Sequence, residues 1–347
     1  MKPNVIVDPN FRRMEEVFSP VYRERLNTLV NIIWGQDEPM PHDAFMQALP
    51  DAEVVVCADW RYGDVLQKAT KLRAIFTISG AFPLDLDYAY CFENGIRVVS
   101  AAPSFARQVA EMSLALALSA SREIVSGDRA MRHGNELYLQ AGNASTFMLY
   151  DQPVGIIGYG SIARALHPLL MPFNVKISVY DPWLGDGYLR RFDVEPVTLE
   201  SLMRESRVVF VLAAPTSENQ AMLNRSYLEM LPHGAVLVLA SRAHVVDFDA
   251  MTEMVVAGRF KVATDVFPTE PLAPNHPIRT AENAVLSAHR AGSVKEGLWE
   301  IGEMVVDDLE AVLAGLPPRL LQNAEPEFVR RYAVNRAKTP DETKNNQ

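Results

Sequence analysis

Apolar positions follow two rhythms along this chain. Over the first hundred residues, short apolar runs alternate with stretches at helical spacing. Val5-Ile6-Val7, Asn31-Ile32-Ile33-Trp34, Glu53-Val54-Val55-Val56-Cys57, residues 73–78 and Ile96-Arg97-Val98-Val99 predict strands. Residues 14–30, 43–49 and 62–69 predict the helices between them. Such alternation means a parallel sheet covered by helices on both faces. Ligands of such sheets bind at the carboxyl ends of the strands. Here those ends carry Ala58-Asp59-Trp60-Arg61 and Ser79-Gly80-Ala81-Phe82-Pro83.

From Ala106 the pattern turns helical. Val109, Met112, Leu114, Leu116 and Leu118 are apolar nearly all round, which predicts a helix buried between domains or subunits. Residues 134–151 form a polar loop. A second alternating array follows, with strands expected at 154–157, 176–180, 208–213, 235–240, 261–264 and 284–287. A helix spans 293 to about 313, and the polar tail from Lys338 is expected to fray. No sequence repeat relates the two arrays.

The second array opens on VGIIGYGSIARA, residues 154–165. An apolar strand runs into Gly158-Tyr159-Gly160-Ser161-Ile162-Ala163, a G-x-G-x-x-A turn, and then into a helix. Gly158 permits the tight turn, Gly160 lets a pyrophosphate approach the backbone, and Ala163 lets the helix lie close on the strand. The anion then sits at the positive end of the helix dipole. Val175, Ile177 and Val179 alternate as the next strand, which ends at Asp181. An acid at that interval accepts hydrogen bonds from the adenosine ribose and repels a 2′-phosphate. Pro182, Trp183 and Leu184 bring no arginine, so the motif predicts NAD as cofactor.

Composition narrows the class. The 347 residues are 48% hydrophobic and 22% charged, enough for two globular domains. Net charge is 33 − 43 = −10 with no basic patch, which argues against nucleic acid and anionic membranes as partners. Two cysteines, Cys57 and Cys91, make neither a disulfide framework nor a metal motif and fit a reducing cytoplasm. The start MKPNVIVDPN lacks the apolar core of a signal peptide, and the most apolar run, 112–120, is too short to span a bilayer. No metal is expected.

Three residues at strand ends of the second array suit hydride chemistry: Arg242, Glu270 and His289. Reduction of a ketone needs a proton donor at the developing alkoxide, the usual work of histidine. A carboxylate beside an imidazole fixes its tautomer and favours its protonated form. A 2-keto acid also needs a cation for its carboxylate or carbonyl, and arginine offers a planar fork.

The stretches VGIIGYGSIARAL, LPHGAVLVLASRAHVVDFDAM, DVFPTEP and SAHRAG, with Val109 to Glu111 ahead of the long helix, resemble the D-isomer-specific 2-hydroxyacid dehydrogenases over about residues 75–300. That is the family of phosphoglycerate dehydrogenase, glycerate dehydrogenase and hydroxypyruvate/glyoxylate reductase. The resemblance implies an α/β fold of two doubly wound parallel-sheet domains. One is a Rossmann NAD-binding domain over 108–307, including the long interdomain helix. The other is a smaller flavodoxin-like substrate domain from 1–107 and 308–347. The cleft between them is the default site.

The resemblance also assigns roles. His289 matches the acid/base, Glu270 its partner, and Arg242 the residue that binds substrate carboxylate and carbonyl. Gly158, Tyr159, Gly160, Ser161, Ile162, Asp181 and Gly292 fall to the cofactor, Ala214-Pro215 to the nicotinamide ribose, and Asp265 to the carboxamide. Ser79, Gly80 and Ala81 match the loop whose amides hold the substrate carboxylate. Phe82 and Pro83 depart from the family's G-x-G-x-D-N, as do Ala106, Ala243 and Asp151-Gln152-Pro153 from its usual residues. A homodimer through the long helix and the following loop is implied. Arg61 either reaches a distal phosphate or carboxylate or faces solvent. The expected activity is NAD-dependent interconversion of a D-2-hydroxy acid and its 2-keto acid. The alternative is an NAD-sensing, corepressor-like binding protein on the same fold. Formate dehydrogenase is disfavoured because that relative carries Gln in place of Glu270.

Overall fold

A computed structural model of the chain describes residues 2–331. They form two compact units. The first takes the chain up to Ala106 and again from Gly292; the second is Arg107–Ala291.

In the first unit, β1 (Asn4–Asp8), β2 (Asn31–Trp34), β3 (Val54–Cys57), β4 (Ala74–Thr77) and β5 (Arg97–Ser100) form a parallel sheet in the order β2-β1-β3-β4-β5. Gln322–Asn323 adds an antiparallel edge strand on β5. Side chains alternate faces along a strand. Val5, Val7, Val54 and Val56 point to one face, where Leu298, Ile301, Val305, Leu309 and Val312 of the helix Lys295–Leu313 meet them. Ile6, Val55, Cys57 and Ile75 point to the other, onto Phe45 and Trp60. Burial on both faces is why these strands read as unbroken apolar runs. The strand order reverses between β1 and β3, the flavodoxin-like arrangement, so loops after those two strands flank a crevice.

The second unit holds β6 (Pro153–Ile157), β7 (Lys176–Tyr180), β8 (Glu195–Pro196), β9 (Val208–Val211), β10 (Val236–Leu239), β11 (Lys261–Thr264) and β12 (Ala284–Leu286). All pair parallel, in the order β12-β11-β10-β9-β6-β7-β8. Its order reverses between β6 and β9, which places the switch point beside the glycine turn. The helices Leu199–Glu205 and Phe248–Val256 close one core, burying Leu202, Met203, Phe248 and Met251 with Val209, Val211, Leu237 and Leu239.

Several expectations need correction. The helix predicted over 14–30 is two, Met14–Val17 and Pro20–Leu29. Pro20 has no N–H to continue the first helix, and Ser19 caps the second through Tyr22. The stretch 62–69 makes only the 3₁₀ turn Leu66–Lys68. There Trp60 and Tyr62 are buried as loop residues, with the Trp60 indole donating to the Gly63 carbonyl. The two-residue strand β8 was not expected, since two residues carry no period. The second unit ends at Ala291 and not at residue 307. The apolar stripe of Lys295–Leu313 says that a sheet is covered but not which one, and it covers β1 and β3. In the helix Ala106–Ser121, Val109 and Leu116 are buried whereas Met112, Leu114 and Leu118 are half-buried. Among the described residues no helix is long and apolar enough to cross a membrane, and no cluster of His, Cys, Asp or Glu could hold a metal. The tail from Lys338 lies outside the described residues.

Candidate active site

The glycine turn joins β6 to the helix Ser161–Leu170. Gly158 has φ +86, and a Cβ there would stand 2.5 Å from the Ala213 Cα, so no other residue fits. Where a Cβ on Gly160 would stand there is open space, the opening a pyrophosphate needs beside the helix N-terminus. Ser161 is exposed and Ile162 half-buried. Tyr159 instead turns inward: it is 1% exposed, and its hydroxyl shares a hydrogen bond of 2.7 Å with His167 Nδ1. Its backbone N–H donates to Asp181 Oδ2 at 2.7 Å, while Trp183 N donates to Oδ1 at 2.9 Å. The Asp181 carboxylate thus stands against the turn, where an adenosine ribose would follow the pyrophosphate. Gly158, Gly160 and Asp181 fit NAD. At the end of β9, Ala214 is exposed, Pro215 is buried, and Asn219 shapes the segment by bonding Thr216 N and the Ala214 carbonyl.

Strands β10, β11 and β12 deliver the reactive side chains. Glu270 Oε2 accepts from His289 Nδ1 at 2.6 Å, and Oε1 accepts from Phe267 N at 2.9 Å. Burial pushes the Glu270 carboxyl up, but the bonds from His289 and Phe267 N and the charges of His289 and Arg242 outweigh it. They hold the group below its ordinary value. Nδ1 is therefore committed to the carboxylate, and Nε2 is left to exchange a proton. Arg242 is half-buried and donates from Nη1 to the Ser241 carbonyl at 2.8 Å.

His289 has φ +50, uncommon outside glycine. Asp265 holds it there. The His289 N–H donates to the Asp265 carbonyl at 2.8 Å, and the carboxylate accepts from Arg290 N at 3.0 Å and Ala291 N at 2.9 Å. Asp265 is 1% exposed, so its place is under the turn that aims His289. Sequence reasoning gave it only to the carboxamide. The signal available was the regular placement of an acid after one strand and a turn after the next.

The remaining site residues lie in the first unit. Gly80 has φ +76, and a Cβ there would strike Phe105 Cε2 at 2.6 Å. Phe82 points into the core, 5.9 Å from Phe328, and Tyr88 Oη donates to the Pro83 carbonyl at 2.7 Å. Thr77 Oγ1 donates to the Ala81 carbonyl at 2.9 Å. Among the described residues the N–H groups of Ser79, Gly80 and Ala81 have no intramolecular acceptor, so the loop offers a row of donors to an anion. Gly292, expected beside the cofactor, belongs to this unit, and a Cβ on it would meet Phe105 at 2.9 Å. Arg61 is exposed but not free. It pairs with Asp8, which is 1% exposed, and donates to Asn10 Oδ1 at 3.1 Å. Tyr62 Oη donates to the same Asp8 carboxylate. A buried carboxylate demands its partner, which is why the arginine turns back.

Comparison with known proteins gives the family. The family model of the NAD binding domain of D-isomer specific 2-hydroxyacid dehydrogenase matches residues 114–291. The chain is 29% identical to a glyoxylate reductase of Thermofilum pendens, over 92% of this chain and 93% of that protein. It is 27% identical to a D-3-phosphoglycerate dehydrogenase of Archaeoglobus fulgidus, over 81% of this chain and 53% of that protein. A solved phosphoglycerate oxidoreductase from Rhizobium etli superposes with a TM-score of 0.82 at 34% identity, covering 94% of this chain and all of that one. With the glycine turn, Asp181 and the His289–Glu270 pair in one parallel-sheet unit, the chain belongs to the D-isomer-specific 2-hydroxyacid dehydrogenases, NAD-dependent oxidoreductases that interconvert D-2-hydroxy acids and 2-keto acids.

Proposed function

We propose that this enzyme reduces a short 2-keto acid of the glyoxylate, hydroxypyruvate and phosphohydroxypyruvate class, with His289 as the proton donor. The observation that carries this reading is the 2.6 Å hydrogen bond from His289 Nδ1 to Glu270 Oε2 in a unit that also bears the NAD turn. Glu270 fixes the imidazole so that Nε2 meets the carbonyl oxygen. The nicotinamide cofactor, held by the glycine turn and Asp181, would supply the hydride as NADH and take it back as NAD+ in the reverse direction. In the second unit Arg242 suits the polarising of the carbonyl, and in the first unit the amides of Ser79, Gly80 and Ala81 suit a cradle for the substrate carboxylate. The names of the relatives, glyoxylate reductase and D-3-phosphoglycerate dehydrogenase, support the substrate class.

Two further parts of the reading concern the molecule's setting. The enzyme works as a homodimer through the segment after the long helix, where Ile124, Met131, Leu137, Tyr138, Leu139 and Met148 are all exposed, Leu139 by 86%. It works in the cytoplasm, a reducing compartment that suits two buried, unpaired thiols, Cys57 and Cys91. Its partners are small 2-keto and 2-hydroxy acids, with neither nucleic acid nor membrane.

The test replaces His289 with Ala. NADH consumption against a keto-acid panel should fall by about 10²-fold or more, while NADH binding, read by fluorescence, persists. Unchanged turnover contradicts the assignment.

A further inference from the structure

The loop after β1 flanks the point where the first unit's strand order reverses, and it carries Arg12. That guanidinium is half-buried, and its Nε has no hydrogen-bond partner. Burial lowers its pKa, with the charge of Glu16 opposing. Yet Glu16 is engaged elsewhere. Its Oε1 accepts from Arg13 Nε and Nη2 at 3.1 Å, and its Oε2 accepts from Arg13 N at 3.0 Å. Arg12 rests instead on two rings, with Cζ 5.4 Å from the Phe11 centroid and 5.7 Å from that of Phe105. Phe105 is the ring that abuts Gly80. A half-buried cation that no carboxylate hydrogen-bonds among the described residues, one ring away from the donor loop, is placed to receive an anion. The neighbouring Arg61 has no such vacancy, because Asp8 and Asn10 hold it.

We propose that Arg12 binds a second anionic group of the substrate, so that this enzyme prefers 2-keto acids bearing a distal phosphate or carboxylate. The inference rests on the reading of Ser79–Ala81 as the cradle of the substrate's own carboxylate. It assigns the distal group to the loop after β1, beside β3. A planar fork suits either oxyanion bidentately.

The experiment compares kcat and KM for phosphohydroxypyruvate, oxaloacetate and hydroxypyruvate in the wild type, R12Q and R12K. R12Q keeps bulk over Phe105 without charge. The inference expects R12Q to raise KM for the favoured dianion by about 10- to 100-fold more than for hydroxypyruvate, with the loss in KM and not in kcat. R12K should restore part of that difference. Phosphohydroxypyruvate against oxaloacetate separates a phosphate from a carboxylate. Equal losses on all three substrates make Arg12 a packing residue and overturn the inference. A wild type that reduces hydroxypyruvate but neither dianion overturns it while leaving the dehydrogenase reading intact; a wild type that reduces none overturns both.

Discussion

At the scale of residues, few groups of the site have freedom to act. Glu270 spends one oxygen on Phe267 N and the other on His289, so its task is to hold the imidazole. Because its folded value is depressed, the carboxylate is ionised at and above the ordinary value of 4.5. The stabilisation it draws from the pair is complete above that value and is lost as pH falls through the lower, folded one. The acid side of the pH profile for keto-acid reduction should therefore stay flat down to about pH 5 and break only below the ordinary carboxylate range. E270Q should cost about tenfold or more in kcat by leaving the imidazole without its anion. A wild-type profile that already falls between about pH 6 and 5 contradicts this role for Glu270. The sequence named Arg242, Glu270 and His289 because chemistry restricts which types serve there. It left the pairing of Arg61 unread because nothing local announces that Asp8, more than fifty residues earlier, lies buried beside it. Arg12 was invisible for the complementary reason: only tertiary structure says which cation lacks a partner.

At the scale of elements, the strands were the most legible part. Val54 to Cys57 and Val208 to Val211 are apolar throughout because both faces of each sheet are covered, and that pattern survives without knowledge of neighbours. Helices were legible only where no proline or buried aromatic intervened. Pro20 split one, and Trp60 and Tyr62 turned another into a loop, since their rings pack with Phe45 in a stacked and edge-on cluster. The helix Lys295–Leu313 shows the remaining limit. Its stripe was evident, but its return to the first unit is fixed by contacts that the stripe does not encode. Asp308, on that helix and 2% exposed, accepts from the N–H groups of Arg319, Leu320 and Leu321, which pins the chain for the edge strand Gln322–Asn323. An isolated acid in an amphipathic pattern gives no hint of that duty.

At the scale of the whole molecule, the exposed apolar segment after the long helix is the proposed dimer interface. Leu137 and Leu139 are 69% and 86% exposed, so the single chain spends little on them and an acidic replacement leaves its core intact. Light scattering of the wild type should give the mass of two chains, and L137D/L139D should shift the population toward one without lowering NADH binding per chain. A monomeric wild type, or a variant that remains fully dimeric, contradicts the proposed interface. One His–Glu pair on an NAD-binding sheet is proposed to drive stereospecific reduction of a keto acid. Single-turnover reduction of hydroxypyruvate with NADH carrying deuterium at both C4 positions reads the path of the hydride and the configuration of the product. The expected product is D-glycerate carrying deuterium at C2. L-glycerate, or D-glycerate without the label, would contradict the proposal.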